Sequence, residues 1–269
     1  LVAIWRIGAV HVPLFTAFAP PAIALRLHGS GAKVVVCDEA QEPKLQAGDD
    51  IPADAPWKVV TTGSAEAGNI SLAALLDRNA PAVEAARCLP DHPLIHIYTS
   101  GTTGEPKGVV VPVRALATFR AYGEFGYDLR PSDVFWNAAD PGWAYGLYCG
   151  VIASLTTGTP SVMTEGGFDA ARTFDTLSRL GVTNFAAAPT VYRSLASSGS
   201  PVPEGLALRA LSSAGEPLTP DINEWAKASF GLLVHDHYGQ TEMGMFINNH
   251  HHPALRRPIK VGSMGHAMP

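Results

Sequence analysis

Charge, cysteine and long apolar runs are all scarce in this chain. Asp, Glu, Lys and Arg make up only 16% of its 269 residues, with a net charge of −5. Nothing there marks a basic surface for nucleic acid, and a chain so poor in charge is not expected to be disordered. Its three cysteines, Cys37, Cys88 and Cys149, are too few and too far apart for a disulfide framework or a zinc site. A reducing cytoplasm is the simplest setting for them. No 18 uncharged apolar residues run together, so no membrane-spanning helix is expected, and the start does not read as a secretory signal. Leu1 opens in an apolar helical pattern and Pro269 follows a Gly-Ser-Met-Gly run with no closing element. Both ends are therefore expected to be cuts in a longer protein.

The chain is rich in short β-branched runs that alternate with helical stretches. Hydrophobic residues make up 46% of it, enough for a sizeable core. The strand candidates are 33–37, 94–98, 109–111, 134–138, 161–164, 184–187, 207–212 and 232–235. Helices are expected over 20–28, 113–122, 144–155, 169–180, 190–196 and 220–230. Asp169 and Thr219 stand where N-caps stand, and Gly181 and Gly231 where helices stop. The acidic, Pro-containing stretch 39–56 reads as a polar surface excursion. This alternation predicts an α/β fold, with mainly parallel β-sheets and helices packed on their faces. Ligands bind such sheets at the carboxyl ends of strands. The clusters Thr99–Gly108, Ala214–Pro217 and Tyr238–Glu242 each follow a strand candidate and are expected to share one crevice.

The first cluster has the parts a polyphosphate needs. In Tyr98–Gly108 (YTSGTTGEPKG), Gly101 and Gly104 let backbone N–H groups approach phosphate oxygens. Ser100, Thr102 and Thr103 add hydroxyls, and Lys107 adds a positive charge. On composition alone, a Gly/Thr-rich surface loop accounts for the run equally well. It is not a Walker A loop, because Gly108 rather than Ser or Thr follows Lys107, and it does not fit the G-x-G-x-x-G spacing of dinucleotide sites. No G-x-S-x-G element offers a hydrolase nucleophile.

Tyr98–Gly108 closely resembles the signature loop of the adenylate-forming enzymes: acyl-CoA synthetases, peptide-synthetase adenylation domains and luciferases. Tyr238-Gly239-Gln240-Thr241-Glu242 resembles their Tyr-Gly-x-Thr-Glu hallmark, and Ser213-Ala214-Gly215-Glu216-Pro217 their adenine-site segment. Ala188-Pro189-Thr190 resembles the stretch beside the acyl and CoA channel, and Gly8–Leu14 an early helix-to-strand segment. Asp140-Pro141-Gly142-Trp143 with Tyr145-Gly146, and Glu165-Gly166-Gly167, look most like the acetyl- and medium-chain acyl-CoA synthetase branch. The resemblance covers nearly the whole chain. It implies an incomplete N-terminal large domain, with 1–93 in one subdomain and 94–269 in a nucleotide- and acyl-binding one.

The resemblance implies a two-step reaction: a carboxylate attacks the α-phosphate of ATP, and CoA then displaces AMP. Lys107, Thr99, Ser100, Gly101, Thr102, Thr103 and Gly104 would hold the β- and γ-phosphates, and Thr241 the α-phosphate. Glu242 would hold Mg²⁺, a hard ion suited to oxygen ligands. Tyr238 would stack on adenine, with Gly215, Glu216 and Pro217 across from it and Asp236, His237, Gly239 and Gln240 beside it. Trp143, Ala144, Tyr145, Pro189 and Thr190 would line the acyl and CoA side. Acetate-specific relatives carry a bulky Trp at the place of Gly239, so an acid longer than acetate is expected. Without the resemblance, Glu242 reads as an acid favoured by a helix dipole, and Tyr238 and Trp143 as core aromatics.

His250-His251-His252 is expected to be a flexible loop, since adjacent residues point apart and chelate poorly within a regular element. His235 and His237 share one strand face but lack a third ligand. The family's Thr-Gly-Asp segment, hinge and small C-terminal domain are not found in the sequence. The chain by itself is therefore expected to bind ATP weakly and not to turn over. An adenylation module that loads a carrier protein and a non-catalytic nucleotide-binding fragment remain open beside the synthetase.

Overall fold

The computed structural model describes residues 1–64, 68–99, 104 and 106–269. By its internal contacts the chain divides into two units, Leu1–Val113 and Arg114–Pro269.

The first unit begins with α1 (Val2–Arg6) and α2 (Pro20–Ser30). Pro20 and Pro21 open α2, where a missing N–H costs no helical bond. Gly31, at φ 64°, ends it in the left-handed conformation that glycine adopts without strain. Strands β1 (Val34–Cys37), β2 (Lys58–Thr61) and β3 (Ile70–Ser71) form a parallel sheet in that order. The short helix α3 (Leu72–Leu76) follows, with Ser71 Oγ accepting from Ala74 N–H. Ile23, Ala24 and Leu27 of α2 pack against Val35, Ile51 and Trp57. Most of 39–56 is exposed, as expected of a surface excursion, but the segment is anchored and partly helical. Glu39–Leu45 winds into a 3₁₀ helix capped by Asp38, and Ile51 is only 2% exposed. Widely spaced apolar anchors in an acidic segment leave no period to detect. Two further strands, β4 (Pro93–Thr99) and β5 (Lys107–Pro112), pair antiparallel as their own sheet.

The second unit carries a seven-stranded sheet. Its strands are β6 (Phe135–Asn137), β7 (Ser161–Val162), β8 (Asn184–Ala186), β9 (Ala210–Ala214), β10 (Val234–Gln240), β11 (Gly244–Asn248) and β12 (His266–Ala267). Their spatial order is β12-β11-β10-β9-β8-β6-β7, parallel from β7 to β10 and antiparallel beyond. The helices are α4 (Ala115–Ala121), α5 (Ala153–Thr157), α6 (Ala170–Arg179), α7 (Pro189–Ser197) and α8 (Pro220–Phe230). Two π-helical stretches adjoin them: Tyr122–Gly126 continues α4, and Tyr145–Ile152 runs into α5. Asp169 caps α6, accepting from Arg172 N–H at 2.7 Å. Thr219 stands at the N-cap of α8 but its hydroxyl makes no cap bond.

Strand alternation divides the core. Trp136, Phe185, Leu211 and Val234 face α6, α7 and α8, meeting Phe174, Leu177, Tyr192, Leu195, Ile222 and Ala226. Each such Leu or Phe contributes about 1.5–3 kcal/mol by leaving water. The opposite face turns Phe135 to the Tyr127 ring at 5.0 Å and Asn184 Nδ2 to Tyr127 O at 2.8 Å.

Two departures from the sequence reading concern β10 and the tandem histidines. β10 was expected to stop at His235 but continues to Gln240, because β11 pairs with its second half. The histidines are not a flexible loop: His250 and His251 are buried. The His251 ring lies flat on His235, 3.7 Å between centroids and 10° apart in plane. His251 Nε2 lies 3.1 Å from Leu211 O and 3.0 Å from Ser212 Oγ. Tertiary contacts, invisible to local pattern, order this segment.

Candidate functional site

The signature loop connects β4 to β5. Thr99 pairs with Lys107 and Tyr98 with Gly108, so both ends of the connection are held across a strand ladder. Ser100, Gly101, Thr102 and Thr103 lie outside the described residues. Gly104 has φ 104°, a region that favours glycine. Lys107, the first residue of β5, is exposed. Gly108 has a steric reason: a Cβ there would run into His96 Nε2. His96 is in turn stacked on Tyr98, 4.8 Å between centroids.

In the second unit, four motif segments leave the carboxyl ends of neighbouring strands. Asp140–Tyr145 follows β6, Pro189–Thr190 follows β8, and Gly215–Pro217 follows β9. Tyr238–Gln240 ends β10, with Thr241 and Glu242 in the turn to β11. Since β10, β9, β8 and β6 are consecutive in the sheet, these segments lie along one edge. That is the edge where parallel sheets hold ligands.

The turn after β9 is tied to α7. Gly215 takes φ 97°, turning the chain at the strand end. Glu216 accepts from Thr190 Oγ1 at 2.7 Å and from Arg193 Nη2 at 2.7 Å. Arg193 Nη2 also reaches Thr190 Oγ1 at 3.0 Å. Sequence reasoning missed Arg193. Its only signal was a cation one helical turn after Thr190.

Along β10 the side chains alternate. Asp236 is buried, and burial raises its carboxyl to about 6 against the backbone N–H groups of His237 and Leu218. His237 faces the other way into the core, where its Nδ1 accepts from Tyr122 Oη at 2.7 Å. Burial lowers His237 to about 3 and His235 to about 4, so both are neutral at pH 7. His237 Nε2 lies 3.2 Å from the Asn249 carbonyl oxygen, and His235 Nδ1 lies 2.7 Å from the same oxygen. No three His, Cys, Asp or Glu side chains among the described residues are grouped to hold a metal. Tyr238 is half-buried, its ring edge-on to Phe246 at 5.2 Å, and Gln240 Nε2 donates to Tyr238 Oη at 3.3 Å.

Gly239 sits at a bulge that shifts the β10–β11 register. A Cβ built on it would strike the Gly244 carbonyl and come within 2.6 Å of Met245 Sδ. The bare Cα is thus matched to the neighbouring strand. Thr241 is held through its carbonyl, which accepts from Tyr148 Oη at 3.4 Å. Tyr148 was also missed; it looked like one apolar helix residue among several. Burial, then Cys149, then Glu242 raise its phenol far above the usual value. Glu242 itself is exposed. A single exposed carboxylate fits Mg²⁺, which keeps much of its water and borrows phosphate oxygens.

Trp143 and Ala144 lead into the π-helical stretch, and Trp143 is 40% exposed. The turn before it is tight: Gly142 N–H donates to Asp140 Oδ1 at 2.6 Å, and a Cβ on Gly146 would overlap the Asp140 carbonyl. Tyr145 Oη is buried beside the Tyr127 hydroxyl, and burial raises its phenol far above the usual value. π-helical turns of this kind recur at functional sites.

The family model described as "AMP-binding enzyme" matches residues 1–269. Acetyl-coenzyme A synthetase of Bacillus subtilis is 35% identical over 98% of this chain and 46% of its own length. Human mitochondrial acyl-coenzyme A synthetase ACSM3 is 30% identical over 100% of the chain and 45% of its length. Among solved structures, an acyl-CoA synthetase of Brucella canis is 43% identical, with a TM-score of 0.88 over 100% of this chain and 49% of that one. A benzoate CoA ligase of Burkholderia xenovorans is 26% identical, with a TM-score of 0.86 over 100% and 52%. The chain spans about half the length of the relatives it matches. No helix of the described residues is long and apolar enough to cross a membrane.

Proposed function

The chain belongs to the AMP-binding enzyme family, and we propose that the protein activates a carboxylic acid with ATP and transfers the acyl group to CoA. The observation that carries this reading is the single edge shared by the segments after β6, β8, β9 and β10. In the first step a carboxylate oxygen forms a bond to the α-phosphorus, and pyrophosphate leaves. In the second the CoA sulfur bonds to the acyl carbon, and AMP leaves.

Both steps bring anions together, so positioning and charge neutralisation carry the rate. We assign Lys107, Thr99, Gly104 and the loop residues Ser100, Gly101, Thr102 and Thr103 to the β- and γ-phosphates. Thr241 is assigned to the α-phosphate. Glu242 would hold Mg²⁺, which supplies positive charge to the phosphates. Asp236, Tyr238 and Gln240, with Gly215, Glu216 and Pro217, are assigned to the adenine side. Asp236, raised toward neutrality by burial, suits an uncharged purine edge. His237 is assigned a supporting role behind that strand. Trp143, Ala144, Tyr145, Pro189 and Thr190 are assigned to the acyl and CoA side, in the segments that follow β6 and β8.

The acid proposed is longer than acetate. What supports this is that Gly239 adds no side-chain atom to the end of β10. The test is a carboxylate panel with the intact gene product, reading acid-dependent ATP–pyrophosphate exchange and then acyl transfer to CoA or to a carrier protein. Exchange with no acid tried would sink the enzyme reading, transfer only to a carrier protein the CoA reading, and activity confined to acetate the chain-length reading.

A further inference from the structure

The opposite edge of the second unit's sheet holds a cavity that none of these roles uses. It opens at the amino ends of β9 and β10, about 13 Å along β9 from the Gly215 turn. Its volume is about 580 Å³. Arg209, Lys227, Arg256 and Arg257 line it together with His235 and His251, and no Asp or Glu does. In a chain with 24 acidic and 19 basic residues, four cations without one carboxylate is a biased lining.

Three of those charges are uncompensated. Arg209 is spoken for by Asp128 and Asp133. Lys227, Arg256 and Arg257 form no ion pair among the described residues, and all three are exposed. They come from two places, the last turn of α8 and the segment before β12, so the clustering is a product of the fold rather than of one basic run. The histidines behind them are neutral: burial is the main cause, and Arg256 adds to the lowering of His235 as Arg209 does to that of His251. The remaining wall is apolar, with Leu233 and Ile259. A concave site with an apolar wall and a few converging cations suits an anion that carries an organic body.

We propose that this cavity is a binding site for an organic phosphate, with Lys227, Arg256 and Arg257 holding the phosphate and the Leu233–Ile259 wall covering the organic part. It is independent of the ATP assignment above. Hydrogen–deuterium exchange of the intact protein locates it, with phenyl phosphate and inorganic phosphate as probes. Phenyl phosphate is expected to protect amides in 225–235 and 253–261, more strongly than inorganic phosphate does. The paired change Arg256→Ala with Arg257→Ala removes two exposed side chains and should weaken that protection at least about tenfold, while Arg256→Lys with Arg257→Lys should retain most of it. ATP–pyrophosphate exchange should be unchanged in both. Protection confined to 98–108, or equal protection in the alanine pair, overturns the proposal. So does the absence of protection in both segments, the result expected if another part of the protein fills the cavity. Equal protection by the two probes removes the organic part and overturns the proposal as stated.

Discussion

Arg193 Nη2 stands 2.7 Å from Glu216 Oε2, and this pair fastens α7 to the turn that follows β9. It joins a segment assigned to the acyl and CoA side with one assigned to adenine. Both side chains are 42% exposed, so solvent screens the attraction and the pair adds little stability, about 0–1 kcal/mol. Its effect is positional. Arg193→Ala should leave the melting temperature nearly unchanged and raise the KM for ATP more than it lowers kcat. Arg193→Lys should recover part of the loss. Exchange kinetics beside a thermal melt check this; an unchanged KM removes Arg193 from the site.

Lys107 gives a second prediction, at the phosphates themselves. It is exposed at the start of β5, so its removal leaves no buried partner unpaired. Lys107→Ala should weaken ATP use by about tenfold or more without loss of fold, because a phosphate loses a charge-assisted bond. An unchanged exchange rate takes Lys107 out of the phosphate role.

Gly108 and His96 should be coupled. Gly108→Ala pushes a methyl into the imidazole and should cost about 1–3 kcal/mol as the strand or ring shifts. His96→Ala empties that space, so the double variant should be more stable than the sum of the two single losses predicts. Urea unfolding of the four proteins measures the coupling. Additive losses would show that the ring moves aside freely.

Acid should unfold the second unit through its buried histidines. Unfolded histidine takes up a proton near 6.5, whereas burial holds His235 at about 4, His237 at about 3 and His251 well below the usual range. The unfolded chain therefore binds more protons as the pH falls through 6.5, and stability is lost from there down through the folded values. Asp236 acts the other way. Its folded value of about 6 lies above the ordinary 3.8, so it favours the folded state as pH drops between them. Three histidines outweigh one aspartate. Urea midpoints should fall from pH 7 to pH 5, and His251→Gln should flatten the slope. A flat wild-type profile would sink the account.

Parallel-sheet architecture was legible because strand and helix periods alternate over most of the second unit, and α8 was bounded correctly at Pro220 and Phe230. The anchors in 39–56 were not legible, because Ile51 is fixed by a core assembled from distant residues. Polar β10 hid in the same way. Val-His-Asp-His-Tyr-Gly-Gln has no apolar alternation, and only pairing with β9 and β11 makes it a strand. The motif residues stood out in the sequence, while Arg193, Tyr148 and His96 did not. Each acts by contact with a motif residue, and such contacts exist only once the chain is folded.

The bulge opposite Gly239 has a consequence for alignment. Tyr238 faces Ile247, but Gly239 faces Met245, so Phe246 is the surplus residue. A relative without the bulge is one residue shorter in this strand, and its gap belongs at Phe246. Placed inside Tyr238–Glu242 instead, the same gap would slide Gly239 onto a neighbour's column, and positions that do not correspond would be compared.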